Sequence, residues 1–171
     1  GPDDEAHDML TIRRYPDPFL RERSQPVRLI DDEVHRLADD MIETMYEHRG
    51  VGLAAPQVGE HLRLVIVDFD PEQRDPHVLI NPKILKRSRT KETGSEGCLS
   101  VPGIEGKVAR AANITAQAQD LSGEMREFRV DGLTARAIQH EIDHLDGVLF
   151  IDKLSPAAKR SLRDEIRRLE Q

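Results

Sequence analysis

Leu133-Thr134-Ala135-Arg136-Ala137-Ile138-Gln139-His140-Glu141-Ile142-Asp143-His144-Leu145 carries two messages at once. Leu133, Ala137, Ile138, Ile142 and Leu145 recur at helical spacing, which predicts a helix apolar around much of its circumference and therefore buried. On such a helix His140 and His144 lie one turn apart on the same face, so both imidazoles can converge on one metal ion. Glu141, beside the first His, can then reach a water held at that ion. A catalytic zinc-type site takes three protein ligands and leaves one position for water. The helix supplies two, and the third has to come from elsewhere. Such His pairs also arise by chance on surface helices, where Glu is common. Burial weighs against that, because two buried imidazoles and an acid need partners and a metal supplies one. Asp143 is read as orienting a neighbouring polar group or as a structural cap or pair, not as a ligand.

Upstream of this helix the chain reads as strands. Leu62–Phe69 is β-rich. Val78–Leu85 is a second run, interrupted by Asn81-Pro82 and so expected to be irregular or at a sheet edge. Lys107–Gln119 and Glu124–Val130 are expected as two strands joined across Asp120-Leu121-Ser122-Gly123. Further back, Val34, Leu37, Ala38, Met41, Ile42 and Met45 predict an amphipathic helix, capped by Asp31 or Asp32 and ended by Gly50. Residues 3–30 read as an arm with turns, since the prolines of Tyr15-Pro16-Asp17-Pro18 forbid regular helix. At the other end, Ser155-Pro156 is an N-cap and first-turn pair for a terminal helix through about Leu169. Strands that run together without crossover helices predict an α+β fold, with mostly antiparallel sheets packed around the central metal-binding helix and a C-terminal helix. No linker interrupts residues 1–171, so a single catalytic domain is expected. Gly1-Pro2 reads as the remnant of a cleaved tag, and residues 1–8 as that remnant or a flexible start.

Composition narrows the class. A chain of 171 residues suits one core, since a domain near this size buries roughly 70% of the surface its unfolded form exposes. The net charge of −7 argues against a nucleic-acid partner, because phosphate binding needs a basic face. Lys159, Arg160, Arg163, Arg167 and Arg168 do gather near the end, but they alternate with Asp164, Glu165 and Glu170 and read as a solvated helix face. Cys98 is the one cysteine, which forbids an intramolecular disulfide and suits a reducing compartment. No stretch approaches the ~20 apolar residues of a membrane span, and the charged first thirty residues resemble no signal peptide. The expectation is a cytoplasmic protein without a membrane or direct nucleic-acid site.

Cys98 lies in Gly94-Ser95-Glu96-Gly97-Cys98-Leu99-Ser100-Val101-Pro102-Gly103. A buried free Cys is commonly inert core, yet a Gly- and Pro-rich segment is an odd place for core packing. Its thiolate would complete a Cys-His-His set, which accepts Zn2+ and Fe2+ alike. Gln57 follows the Gly50-Val51-Gly52-Leu53 loop, and its amide N–H could donate to an oxyanion. Without context a Gln in a loop is far more often a plain surface residue. Taken together, Gly52-x-Ala54-Ala55-x-Gln57, Glu96-Gly97-Cys98-Leu99-Ser100 and His140-Glu141-x-Asp143-His144 resemble the three signature motifs of bacterial peptide deformylases, in the same order and at similar separations. Tyr15-Pro16-Asp17-Pro18-x-Leu20 and Leu154-Ser155-Pro156 are also similar to that family, so the resemblance spans roughly Met9 to Leu169.

The resemblance implies an enzyme that removes the formyl group from the formyl-methionine of nascent polypeptides and releases formate. It implies that Cys98, His140 and His144 bind one divalent metal, Fe2+ in the cell and Zn2+, Ni2+ or Co2+ in preparations. Glu141 would take a proton from water and return it to the leaving amine. Gln57 and the backbone N–H of Leu99 would hold the developing oxyanion. Gly50, Val51, Gly52 and Leu53 would pair with the peptide in strand fashion. Gly97 and Ala137 would border the bound peptide, and Glu96 and Arg110 would form a polar pair near the site, or merely a surface ion pair. Arg136, one turn before His140, is read as a departure from the apolar residue expected beside the methionine pocket. It could lay its stem along the pocket, narrow it, or pair with an acid. The implied partners are N-formylmethionyl peptides and the ribosome near the exit tunnel. The rival readings are a metallopeptidase, which would leave Cys98 unused, a non-catalytic relative that binds nascent chains or ribosomes, and a structural metal domain, which would need a fourth ligand.

Overall fold

A computed structural model describes residues 9–171, so the reading of residues 1–8 lies outside the described residues. The arm at 9–31 passes through a cis Tyr15–Pro16 peptide. Helix α1 follows at Asp32–Glu47, its N-terminus capped by the Asp31 carboxylate, which accepts from the Val34 N–H. The strands are β1 Gly52–Ala54, β2 Leu64–Asp68, β3 Pro76–Arg87, β4 Lys91–Cys98, β5 Val101–Ala111, β6 Asn113–Gln119 and β7 Met125–Asp131. Helix α2 is Gly132–Leu145, and helix α3 is Pro156–Leu169, capped by Ser155 Oγ.

All strand pairs within the two sheets are antiparallel. One sheet runs β1-β2-β3-β6-β7; β4 and β5 form a separate hairpin. Strand β2, Leu64-Val65-Ile66-Val67-Asp68, is buried along its whole length, and its side-chain alternation explains why. Leu64 and Ile66 pack with Val34, Ala38, Met41 and Met45 of α1. Val65 and Val67 point the other way, onto Ala135, Ile138, Ile142 and Leu145 of α2. Two helices on opposite faces of one strand demand a continuous apolar run in place of alternation. A third cluster seats Leu162, Ile166 and Leu169 of α3 beside Val101, Ile104 and Val108 of β5. The antiparallel α+β arrangement around a central helix is the one expected.

Two strand assignments are corrected. Strand β3 is central, not at an edge. Its irregularity is real: the register with β6 slips between Ile80 and Lys83 and again between Ile84 and Lys86. The bulge accommodates Pro82, which has no N–H to give, inside a central strand. Asn81, at φ 51°, turns its amide onto the arm, accepting from Val27 N at 2.8 Å and donating to Val27 O at 2.9 Å. The second correction divides Lys107–Gln119. The chain leaves the hairpin at Ala111 and enters the larger sheet at Asn113. The Gln139 amide clamps the crossing point, accepting from Ala111 N and donating to Ala111 O.

The turn after α2 fixes its C-terminus. Arg63 donates to Leu145 O at 3.1 Å and pairs with Asp146 at 3.0 Å, a cation at the negative helix end. Gly147 sits at φ +74°, and a Cβ there would overlap the Arg21 carbonyl, its carbon at 2.7 Å. Left-handed strain and a backbone clash add in Gly147→Ala. The expected loss is about 3 kcal/mol, or a melting point lower by roughly 6–12 °C. A thermal melt of metal-free protein checks this, and a shift under ~2 °C would show that the turn relaxes freely.

Candidate metal centre

Three side chains from two elements meet at one point. Cys98 ends β4 where the register against β5 slips between Gly97 and Cys98, so the hairpin pinches and turns the thiol toward α2. His140 and His144 rise from consecutive turns of α2, their rings edge to face with centroids 5.1 Å apart. One ligand atom from each of Cys98, His140 and His144 lies within 4.8 Å of the others, and Cys98 Sγ is 3.3 Å from His144 Nε2. A tetrahedral centre with bonds of about 2.0–2.3 Å spaces its donors roughly 3.3–3.8 Å apart, so the set fits one ion with small adjustments. The chemistry fits as well. His140 Nδ1 stands 2.9 Å from Glu96 Oε1. With the carboxylate accepting, one proton sits on Nδ1 and Nε2 is the nitrogen left for an ion, which would take the place of any proton there.

The charges around the three donors are arranged in opposition. Burial alone would raise the Glu96 carboxyl, but Arg110 and His140 outweigh it and hold it well below the usual carboxylate range. Burial likewise works against a charged His140, yet the adjoining Glu141, Cys98 and Glu96 raise it well above an ordinary imidazole. His144 is pushed well below by burial and by the neighbouring His140, which favours the neutral, ligating form. Glu141 is lifted to about 7, first by burial. Its Oε1 is buried without a hydrogen-bond partner among the described residues.

Glu96, Cys98, His140 and Glu141 line a cleft of about 730 Å³. The segment entering β1 forms one wall, and among the described residues β1 pairs with β2 alone. Gly50, Val51 and Gly52 lie along that wall, Glu96, Gly97, Cys98 and Leu99 along the hairpin, and Arg136, Ala137, His140 and Glu141 along α2. Leu53, by contrast, is fully buried against α1 and does not reach the cleft. Gln57 is 1% exposed and held at both ends: Oε1 accepts from Ala54 N at 2.9 Å, and Nε2 donates to Ser100 Oγ at 3.0 Å with Cys98 Sγ 3.5 Å away. Sequence reasoning assigned Ser100 no role, and nothing local marks it as the residue that aims this amide.

Glu96 and Arg110 are not a surface pair. They are buried and joined by two bonds of 2.9 Å, Nε to Oε2 and Nη2 to Oε1. Arg110 also pairs with Asp143, which gives Asp143 the structural role expected of it. Arg136 takes the third of its anticipated options. Its head donates to Glu96 Oε2 at 2.7 Å, and the residue still lines the cleft.

Gly52 is where β1 passes the acid. A Cβ there would overlap the Glu141 carboxylate, with Cδ at 3.0 Å and Cγ at 3.1 Å. The obstructing atoms end a flexible side chain, so Gly52→Ala is expected to unfold little and to push the carboxylate aside. A displacement of about 1 Å can cost ~10²-fold in rate. The prediction is a turnover loss of that order with the melting point within a few degrees of the parent. Full turnover would show that the carboxylate tolerates displacement.

Comparison with known proteins follows the same lines. Residues 9–160 match the polypeptide deformylase family. A peptide deformylase from Alkalilimnicola ehrlichii is 50% identical over 162 residues, 94% of this chain and 90% of that one. One from Dictyoglomus thermophilum is 50% identical over 154 residues, 90% and 96% respectively. Among solved structures, a Thermotoga maritima peptide deformylase superposes with a TM-score of 0.84 at 44% identity, covering 88% of this chain and all of that one. A Legionella pneumophila peptide deformylase gives 0.87 at 40% identity, covering 95% and 96%.

Proposed function

The chain belongs to the polypeptide deformylase family, and on that premise we propose that Glu141, Gln57 and Leu99 act around an ion held by Cys98, His140 and His144. The reaction removes the N-formyl group from nascent peptides and releases formate. The observation that carries the assignment of residues is the convergence of Cys98, His140 and His144 beside a buried Glu141.

When bound, a divalent ion supplies Lewis acidity toward the formyl carbonyl and lowers the pKa of water to about 7. The rest is done by the chain. The unpaired edge of β1 takes up the peptide backbone as an added strand, which reads main chain and tolerates varied sequence. Glu141 accepts the proton of the attacking water as a C–O bond forms at the formyl carbon. The Gln57 amide, already fixed by Ala54 and Ser100, donates to the carbonyl oxygen as it gains charge, together with the Leu99 N–H. As the C–N bond breaks, Glu141 gives its proton to the amine nitrogen, leaving formate and a free amino terminus. Gly97 and Ala137, with the stem of Arg136, border the methionine side chain.

The finer reading assigns Fe2+ as the native ion, with Zn2+, Ni2+ or Co2+ taking its place in preparations, and places the work in the cytoplasm at the ribosomal exit tunnel. Among the described residues no helix is long and apolar enough to cross a membrane. The test is anaerobic purification, loading with one equivalent of Fe2+ or Ni2+, and product analysis on a formyl-Met tripeptide. Formate with an intact peptide is the expected result; a cleaved peptide bond would make the chain a metallopeptidase.

A further inference from the structure

The three donors come from two elements that no crosslink joins. Cys98 rides on the β4–β5 hairpin, while His140 and His144 ride on α2. The hairpin is a two-stranded sheet of its own, not an extension of the larger one. The distance between thiol and imidazoles therefore depends on how firmly α2 grips that hairpin. Resting on the metal-site reading above, we propose that Arg136 is the positioning residue that sets this grip.

Arg136 lies one turn before His140, and its side chain is 12% exposed. Its guanidinium reaches both strands of the hairpin. Nη2 donates to Glu92 O of β4 at 2.7 Å, and Nη1 donates to Val108 O of β5 at 2.9 Å. Nη1 also donates to Glu96 Oε2 at 2.7 Å, while the other oxygen of that carboxylate faces His140 Nδ1. One side chain of α2 thus ties down two strands and fixes the acid that orients a ligand of its own helix. The fork of Arg makes this possible, because its nitrogens point at separate acceptors; a Lys head is a single point and cannot span them. Gly94 supplies an independent sign of the fit. The guanidinium lies against it so closely that a Cβ would meet Nη2 at 3.0 Å and Cζ at 3.1 Å.

Arg110 keeps a bidentate hold on Glu96, so removing Arg136 strands no buried charge. What is lost is the tie that spans both strands; Gln139 still holds Ala111 and Asp143 still pairs with Arg110 at the β5 end. The expected consequence is metal retention weakened by the 10–100-fold typical of residues that orient ligands from behind.

The experiment uses the full chain and Co2+. Parent, Arg136→Met, Arg136→Lys and Gly94→Ala are stripped, melted as apoproteins, reloaded with Co2+ and titrated with a competing chelator. Affinity is followed by ligand-field absorption, and kcat and KM are measured on a formyl-Met tripeptide at saturating Co2+. Support is a 10–100-fold loss of Co2+ affinity in Arg136→Met and Gly94→Ala, only partial rescue by Lys, apo melting points near the parent's, and an unchanged KM in Gly94→Ala, whose residue lies outside the cleft lining. Co2+ affinity within twofold of the parent in Arg136→Met overturns the proposal, and with a KM raised tenfold it makes Arg136 a wall of the cleft alone. A fall in affinity that only mirrors a collapsed apo melting point also overturns it. A parent that binds Co2+ but releases no formate would defeat the functional reading separately, leaving the affinity comparison to decide the tether.

Discussion

Replacing Glu141 with alanine is expected to lower turnover by about 10²–10⁴-fold while one metal per chain remains bound. Both halves follow from position. The carboxylate lies in the cleft wall and outside the Cys98–His140–His144 set, so its loss should not empty the centre. Burial lifts it to about 7, which suits a group that takes a proton and gives it back near neutrality. Glu141→Gln is the sharper control, since it keeps the volume packed against Gly52 and removes only the proton-carrying function. The two variants should be similarly slow, by formate assay at saturating substrate, with metal stoichiometry measured on the same samples. Turnover in Glu141→Gln within tenfold of the parent would show that another group moves the proton.

Cys98→Ala should release the metal altogether, from one ion per chain to close to none by elemental analysis. The two remaining ligands come from a single helix, and two donors fall short of the three a catalytic centre takes. A second readout is thermal. A ligand present at a hundred times its dissociation constant stabilises the fold by about 2.7 kcal/mol, so added Ni2+ should raise the parent's melting point and leave the variant's unmoved. The apoprotein should survive the change, because Cys98 is only half-buried at the pinch of the hairpin. A variant that keeps one ion per chain would remove Cys98 from the ligand set.

The elements legible in advance share a short range. The α1 and α2 stripes, the Asp31 and Ser155 caps, and the one-turn spacing of His140 and His144 each depend on residues within a few positions. Backbone geometry alone ties such residues together; α2 and α3 appear within one residue of their expected bounds, while α1 stops at Glu47, short of the expected Gly50. The three motifs, with Gln57 in one and Cys98 in another, were also readable as a set, because order and spacing survive without knowledge of the fold.

The rest was settled by pairing. Strand β4, Lys91-Glu92-Thr93-Gly94-Ser95-Glu96-Gly97-Cys98, has almost no apolar residue to mark it and exists because β5 supplies its partners. The Asn81-Pro82 break reads as irregular or at an edge, and only the pairing decides for a bulge mid-sheet. Ala111-Ala112-Asn113 gives no local sign that the chain changes sheets there. Glu96 stands 40 residues from Arg136 and 44 from His140, so no spacing in the sequence announces that the acid, the cation and the imidazole meet. The sequence determined which helix carries the histidines and which residue types could serve them. The tertiary structure alone decided how the hairpin lies against that helix, because a strand's alternation permits either face until a partner and a register are chosen.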